Sequence, residues 1–521
     1  MPHALTVSRR DARRRAGALV ALSAALATGA LAAPAVAAPV GAMLPAAVVT
    51  VDQAPGTAAV WATTTDGLDR LTLTGTSPAR GFTTTSAPTI AIDPAVVGQS
   101  VTGFGAALTH SSATLLAALP AADRHRVLVE LFDPQGPVRL SVLRVPLGAS
   151  DFVAGSPFTY DDTPGGKPDW SLSRFSTGKD LKALRPVLKE IKAIAPQLTI
   201  VASPWSAPAW MKASGTLKGG RLLSDPRAVP TYADYLVRAL KDFRAAGTPV
   251  DVLTVQNEPQ TRTFADYPRM EMPAAQQVAV INALAPRLQA AGLDVKILGF
   301  DHNWLEHPAD VAAVPAGGDP ELDYATRVLS SSAAPNVAGT AFHCYYGDAT
   351  AQEPLHAAFP SKEIWVTECS GSHGPTDTPA TYFADTLAWQ TRNLMIASLQ
   401  HWATTVLTWN LALDASGGPH TGGCSTCTGV VTVQSGQVTP DAEYYVLAHA
   451  SRFLPRGSVR LGSSASVTGL PQVAFRTPDG TVVVLVQNAS AQAAPVTVTI
   501  GGTAYDVTLP ARSTVTVRIT A

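Results

Sequence analysis

This chain carries no excess of either charge: 38 Lys and Arg stand against 39 Asp and Glu over 521 residues, a formal net charge of −1. Nothing in that balance points to nucleic acid or an anionic membrane surface as a partner. Charged residues make up only 15% and hydrophobic residues 46%, which excludes a disordered protein and suffices for one large core and a smaller second one. Cysteine is scarce, four in all, too few for a disulfide scaffold. The 11 histidines form no i, i+4 pair, so no metal site is expected. Beyond the first forty residues no run is long and apolar enough to span a bilayer.

What is present at the start is a targeting pattern. Arg9, Arg10, Arg13, Arg14 and Arg15 precede an Ala-rich apolar run, and Ala35-Val36-Ala37 offers an A-x-A cleavage site before Ala38. This reads as a secretory signal peptide over residues 1–37. A membrane anchor is the alternative, but the run is short and dilute in Leu and Ile. Ser8-Arg9-Arg10 suggests twin-arginine export, a pattern the following residues fit poorly. Cys424 and Cys427 form a C-x-x-C in a Gly-rich loop, and no second C-x-x-C or His pair completes a zinc site. Export favours oxidation, so a local loop disulfide is expected there.

Short strand signals fill both ends of the chain. Val48-Val49-Thr50-Val51 and Leu71-Thr72-Leu73 lie near the start, and Val482–Val486, Val496–Ile500 and Val515–Ile519 lie near the end. A β-sandwich assembled from both termini around a central domain accounts for this. In the middle, candidate strands near Gly103–Ala107, Leu140–Pro146, Thr199–Ser203, Val252–Gln256, Lys296–Gly299, Gly339–Tyr345, Ile364–Thr367 and Thr404–Trp409 alternate with helical stretches. The helices are expected at Asp123–Leu131, Thr177–Ala195, Tyr232–Ala246, Pro273–Ala291, Asp323–Leu329 and Thr381–Gln400. Eight such units are the count of a (β/α)8 TIM barrel, an α/β fold. A doubly wound open sheet is the alternative, but Gly103-Phe104-Gly105 lacks the third glycine and acidic partner of a phosphate fingerprint. The expected division is 1–37 signal peptide, 38–47 leader, 48–95 N-terminal sandwich strands, 96–415 barrel, 416–440 Gly-rich loop region and 441–521 C-terminal β-sandwich.

Two glutamates follow apolar strands directly, where barrel active sites lie. Val255-Gln256 runs into Asn257-Glu258-Pro259 after the fourth strand, and Val366-Thr367 into Glu368-Cys369 after the seventh. Facing carboxylates about 5–5.5 Å apart are what glycosidic cleavage with retention requires: one protonated to assist the leaving oxygen, one ionised to attack the anomeric carbon. Proximity of like charges lets one carboxyl keep its proton near neutral pH.

The sequence resembles glycoside hydrolase family 30, the glucosylceramidase and β-1,6-glucanase family, from about Gly103 to Phe453 and more weakly beyond. The resemblance rests on the order and spacing of several segments. These are Gly103–Thr109, Leu143-Arg144-Val145-Pro146, Ala202–Lys212, Asn257-Glu258-Pro259, His343-Cys344-Tyr345, Thr367-Glu368 and Trp409–Leu413. It implies a hydrolase acting on a β-linked oligosaccharide, polysaccharide or glycolipid without a cofactor. Glu258 would be the acid/base, Glu368 the nucleophile, and Asn257 a hydrogen-bonding partner of the sugar 2-OH. Trp205 and Trp409 would line the glycone subsite. His343 and Tyr345 would tune the carboxylates, and Arg144 would keep the nucleophile ionised.

Two positions depart from the pattern. Where mammalian-like members carry an aspartate that binds distal glucose hydroxyls, this chain has His110, so the expectation widens from glucosylceramide to β-glucosides including β-1,6-glucan. Cys344 stands where those members carry tryptophan. Cys344 and Cys369 follow site residues on adjacent strands, either as a disulfide pinning the nucleophile's strand end or as two buried thiols. A xylan-cleaving relative and a catalytically inactive carbohydrate-binding protein are the alternative functions. Asn488-Ala489-Ser490 is a formal glycosylation acceptor.

Overall fold

Inward-facing side chains set the architecture. The computed structural model describes residues 53–83, 86–263, 266–464, 467 and 469–520. The signal peptide, the leader and the strand expected at Val48–Val51 lie outside the described residues. Eight parallel strands close into a barrel in chain order: Gly103–Ala107, Val142–Leu147, Thr199–Pro204, Val252–Thr254, Lys296–Asn303, Gly339–His343, Glu363–Glu368 and Ala403–Asn410. The last pairs with the first, so the doubly wound alternative is excluded.

Alternation along each strand sorts the residues by face. Val142, Val201, Val252, Leu298, Ala341, Trp365 and Leu407 fill the barrel interior as one apolar layer. Their neighbours Leu143, Leu253, Phe342 and Val366 point outward into the core shared with the helices. Two residues beyond the apolar layer come Arg144, Ser203, Thr254, His343 and Thr367, one polar layer stacked above it at the strands' C-terminal ends. The interior is therefore dry below and polar above, which fixes where chemistry is possible.

The helical ring includes Ala121–Phe132, Leu184–Ile194, Ala228–Ala245, Ala274–Ala290, Tyr324–Leu329 and Pro379–Trp389. The expected helix Thr177–Ala195 is split: a short 3₁₀ turn at Gly178–Lys182 gives way at Ala183, whose φ of −138° is not helical. The last expected helix continues from Trp389 through a π-helical segment, Gln390–Ile396, into Ala397–Gln400. Among the helices that were not anticipated are His110–Ala118 and Ala442–Ser451. All ten residues of the second are buried, so it has no polar face and no amphipathic period to read.

Ten strands from both chain ends are hydrogen-bonded in one order around a second core. The N-terminal strand Thr57–Thr64 pairs antiparallel with the C-terminal strand Ser513–Thr520. It faces both ways: Ala58, Val60 and Ala62 enter the sandwich core, and Ala59 and Trp61 join the barrel core. His449 bridges the same seam, its ring nitrogens 2.8 and 2.9 Å from Thr516 and Thr63 hydroxyls. Asn488 is 1% exposed, and its Nδ2 donates to the carbonyls of Gln492, Leu509 and Pro510, so the formal glycosylation acceptor is a structural side chain. Among the described residues no helix is long and apolar enough to cross a membrane.

Candidate active site

The polar layer is organised by a residue the sequence did not advertise, Asp301. Where the sixth strand steps from Ala341 to Phe342, the fifth steps from Phe300 to His302, leaving Asp301 unpaired as a bulge. Phe300 and Asp301 both have φ of 70°, and the bulge turns the Asp301 carboxylate to the barrel axis. Its Oδ2 accepts from Arg144 Nη2 at 2.9 Å, Ser203 Oγ at 2.9 Å and Thr254 Oγ1 at 2.6 Å. Its Oδ1 accepts from Thr367 Oγ1 at 2.7 Å and faces His343 Nε2 at 3.1 Å. Burial works against this charge, but the Arg144 cation and the His343 hydrogen bond outweigh it and hold Asp301 well below the usual carboxylate range.

Around that anion the expected residues converge. Arg144, fully buried, donates Nη1 to Glu368 Oε2 and Nη2 to Asn257 Oδ1 at 2.8 Å. Asn257 thus spends its carbonyl on Arg144 and keeps its amide Nδ2 to donate elsewhere. Tyr345 donates its hydroxyl to Glu368 Oε1 at 2.9 Å, so both oxygens of Glu368 are held. Glu258 sits just past the fourth strand with φ of 44°, its backbone N–H donating to the Asp301 carbonyl at 2.9 Å. Thr261 Oγ1 donates to Glu258 Oε2 at 3.2 Å, and His343 Nδ1 lies 3.1 Å from Oε1. Ligand-type atoms of Glu258, His343 and Glu368 all lie within 4.8 Å of one another, so the two carboxylates lie side by side at the barrel mouth.

Electrostatics couples these groups. Burial pushes the His343 imidazole down, but Glu368, Asp301 and Glu258 more than reverse this and raise it to about 9. Both its nitrogens therefore carry protons at neutral pH and donate to Glu258 and Asp301. Burial is also the strongest influence on both glutamates and pushes both up. On Glu258 the His343 hydrogen bond and neighbouring imidazoles overcome it and leave the group below its ordinary value. On Glu368 the His343 and Arg144 charges do not overcome burial and the adjacent Glu258, so it stays above. Two cations, Arg144 and His343, face three carboxylates, and electroneutrality in this buried space is reached with one carboxyl protonated.

The trio Glu258, His343 and Glu368 has the residue types of a metal site. The donor set does not fit one: an imidazole with both nitrogens protonated has no lone pair to give, and Arg144 already occupies Glu368.

Trp205 and Trp409 are both buried and stack at 5.1 Å with 22° between planes. The Arg144 guanidinium lies 4.8 Å from one ring centre and 5.5 Å from the other. His110 is buried at the start of helix His110–Ala118, and its Nε2 pairs with Asp180 Oδ1 at 2.9 Å. Its hydrogen bonding thus runs to Asp180, away from either glutamate. Cys344 and Cys369 form a disulfide with 5.2 Å between Cα atoms, tying the sixth strand's end to the seventh directly behind Glu368. Cys424 and Cys427 form the second, in the expected loop.

Sequence reasoning missed Asp301, its hydroxyl partners and Asp151. Asp151, 8% exposed, is packed against the Gly423-Cys424 backbone and pushed well above the carboxylate range by burial and then by Glu368 and Glu258. The available signal was the recurring polar residue two places after an interior apolar residue: Val201/Ser203, Val252/Thr254 and Trp365/Thr367.

A model of the glycosyl hydrolase family 30 TIM-barrel domain matches residues 101–454, and one of that family's β-sandwich domain matches residues 457–517. The endo-1,6-β-D-glucanase of Aspergillus fumigatus is 34% identical over 443 residues, covering 80% of this chain and 84% of the relative. The lysosomal acid glucosylceramidase of Mus musculus is 31% identical over 425 residues, covering 78% and 79%. A solved endo-β-1,6-glucanase structure aligns with a TM-score of 0.77 and 29% identity over 89% of this chain and 100% of that one.

Proposed function

The chain belongs to glycosyl hydrolase family 30, and from that premise we propose a secreted retaining β-glycosidase that cleaves β-1,6-linked glucosides by double displacement. The observation that carries the reading is the facing of Glu258 and Glu368, with an oxygen of each within 4.8 Å of the other. Inverting enzymes need about 6.5–9.5 Å between carboxyl groups to admit a water; this gap leaves room for direct attack instead.

Glu368 is the nucleophile. Arg144 and Tyr345 hold its two oxygens and aim it. Glu258, the more exposed of the two at 15% of its side chain, is the acid/base. It protonates the departing oxygen as the Glu368 carboxylate bonds to the anomeric carbon, then takes a proton from the water that releases the glycosyl–enzyme ester. Asn257 donates its free amide hydrogen to the sugar 2-OH. The resting pair holds one proton, favoured on Glu368, whereas catalysis uses the tautomer with that proton on Glu258. Both forms contain the same number of protons: His343 Nδ1, 3.1 Å from Glu258 and 3.9 Å from Glu368, hands its own proton to Glu258 and is then reprotonated by Glu368.

For the substrate, endo-1,6-β-D-glucanases at 34% identity support a β-1,6-glucan over glucosylceramide. The arginine-then-apolar start and two disulfides support export. The test is product analysis on gentio-oligosaccharides, glucosylceramide and xylo-oligosaccharides, with NMR of the first product anomer. Release of β-anomeric product from β-1,6-linked chains is expected. An α-anomer first product overturns the mechanism, and preference for glucosylceramide or xylan overturns the substrate. N-terminal sequencing of the exported protein should begin at Ala38.

A further inference from the structure

At the end of the barrel opposite the glutamates, a second cavity has a charge pattern of its own. Arg139 precedes the second barrel strand, and Arg452 and Phe453 follow helix Ala442–Ser451, so both lie away from the strands' C-terminal ends. Between them and the sandwich strands Thr57–Thr64 and Ser513–Thr520 lies a cavity of about 270 Å³. Arg139, Arg452 and Arg518 line it, with Trp61, Phe453 and Asp479.

None of the three guanidiniums has an ion-pair partner among the described residues. Arg139 donates to the carbonyls of Gly136 at 2.9 Å and Arg452 at 3.3 Å, and Arg518 donates to Gln53 Oε1 at 3.0 Å. The Arg452 guanidinium lies 4.5 Å from the Trp61 ring centre and 5.4 Å from that of Phe453, which orients it without neutralising it. The one carboxylate in the lining, Asp479, accepts from the Thr477 hydroxyl and from Thr481 N at 3.2 Å. Three cations therefore share a half-buried space with a single anion. Burial first, and then Arg139, pull Arg452 down to about 10. Like charges gathered at this cost are relieved by an anion, and the planar guanidinium matches carboxylate and phosphate oxygens two at a time.

We propose that this cavity is a binding site for an anionic monosaccharide unit, a sugar bearing a carboxylate or a phosphate. The cavity is below the roughly 300–1,000 Å³ of sites for larger ligands, which suits one ring rather than a chain. The Gln53 amide hydrogens are spent on the Thr57 and Arg518 carbonyls and the Thr477 hydroxyl on Asp479 and the Thr481 carbonyl, so Gln53 Oε1, the hydroxyl oxygens and Asp479 remain as acceptors for sugar hydroxyls. A bare inorganic anion would use the guanidiniums alone. The site is independent of the chemistry at Glu258 and Glu368, so either can fail without the other.

The experiment is calorimetric titration of the full chain with glucuronate, glucose 6-phosphate, glucose and inorganic phosphate. Both acidic sugars are expected to bind at least tenfold more tightly than glucose or phosphate, and the tighter of the two names the anion. Arg452→Met and Arg518→Gln should each weaken that binding at least tenfold, and Asp479→Asn should strengthen it severalfold. Turnover of an aryl β-glucoside should stay within twofold in all three variants, which also reports that they fold. Absence of binding by either acidic sugar overturns the proposal, as does binding unchanged by both arginine substitutions. Phosphate bound as tightly as the acidic sugars overturns the assignment to a sugar.

Discussion

Asp301 and Arg144, both fully buried, face each other at 2.9 Å beneath Glu258 and Glu368, and the second nitrogen of that guanidinium reaches Glu368. The anion is what makes a buried arginine tolerable, and the arginine in turn fixes Glu368 and Asn257. Asp301→Asn keeps the shape and removes the charge. Breaking a buried pair by removing one partner costs about 3–5 kcal/mol, so the melting temperature should fall clearly. Because Asp301 touches no substrate in the proposed mechanism, kcat should drop roughly 10²-fold, the scale for losing a group that orients a catalytic side chain, with KM little changed. A large rise in KM at constant kcat would contradict this positioning role.

His343 gives the site a pH dependence of defined sign. Its folded value is raised from 6.5 to about 9, so it contributes stability that is fully present below about 6.5 and is lost as pH climbs through about 9. The full effect is on the order of 3 kcal/mol. Denaturation midpoints measured from pH 6 to 10 should therefore fall across that window, and His343→Gln should flatten the fall. Activity should decline on the same alkaline side as the proton between the carboxylates is lost. A variant whose alkaline decline matches that of the parent would remove His343 from this role.

The proposed catalytic pair stood out because each glutamate ends an apolar run, and a charge there has no reason to follow a strand unless the barrel mouth uses it. Arg144 and His343 were legible only through resemblance. Asp301 was not, because its direction is set by a bulge with two successive positive φ values, and a one-residue slip reverses which face a side chain takes. Helix Ala442–Ser451 was hidden for the opposite reason: surrounded by protein on every side, it carries no polar stripe. The break at Ala183 likewise left no mark in the apolar spacing. Pairing of the two chain ends was anticipated from strand composition, but the shared burial of Thr57–Thr64 against both cores was not.

The two disulfides should differ in worth. Cys344–Cys369 spans 25 residues and Cys424–Cys427 only 3, and the unfolded-state entropy removed grows with the enclosed loop. Replacing the first pair by alanines should cost about 2–4 kcal/mol and lower kcat, since the Cys344 backbone N–H also donates to the Glu368 carbonyl at 3.3 Å. Replacing the second pair should cost less. Thiol counts with and without reductant, followed by melting curves of both double variants, check the order; a reversed order would mean that the Gly-rich loop, not the strand end at Glu368, depends on its crosslink.

Asp151 tests the charge balance of the site from the side of the Gly-rich loop. Burial and the two glutamates push it well above the carboxylate range, which favours its neutral form, with one O–H to donate and a carbonyl to accept. Asparagine has the same shape and the same absence of charge, so Asp151→Asn should retain turnover within a few-fold. Asp151→Leu leaves no hydrogen-bonding group and should raise KM for β-1,6-glucosides at least tenfold. Gly423 packs on this side chain with φ of 68°, and a Cβ there would overlap the Asp151 carboxyl. Gly423→Ala should therefore destabilise by about 1–3 kcal/mol and raise KM in the same direction. If instead Asp151→Asn is as damaging as Asp151→Leu, the residue works as an anion, and the charge balance assigned to the site would have to include a third ionised carboxylate.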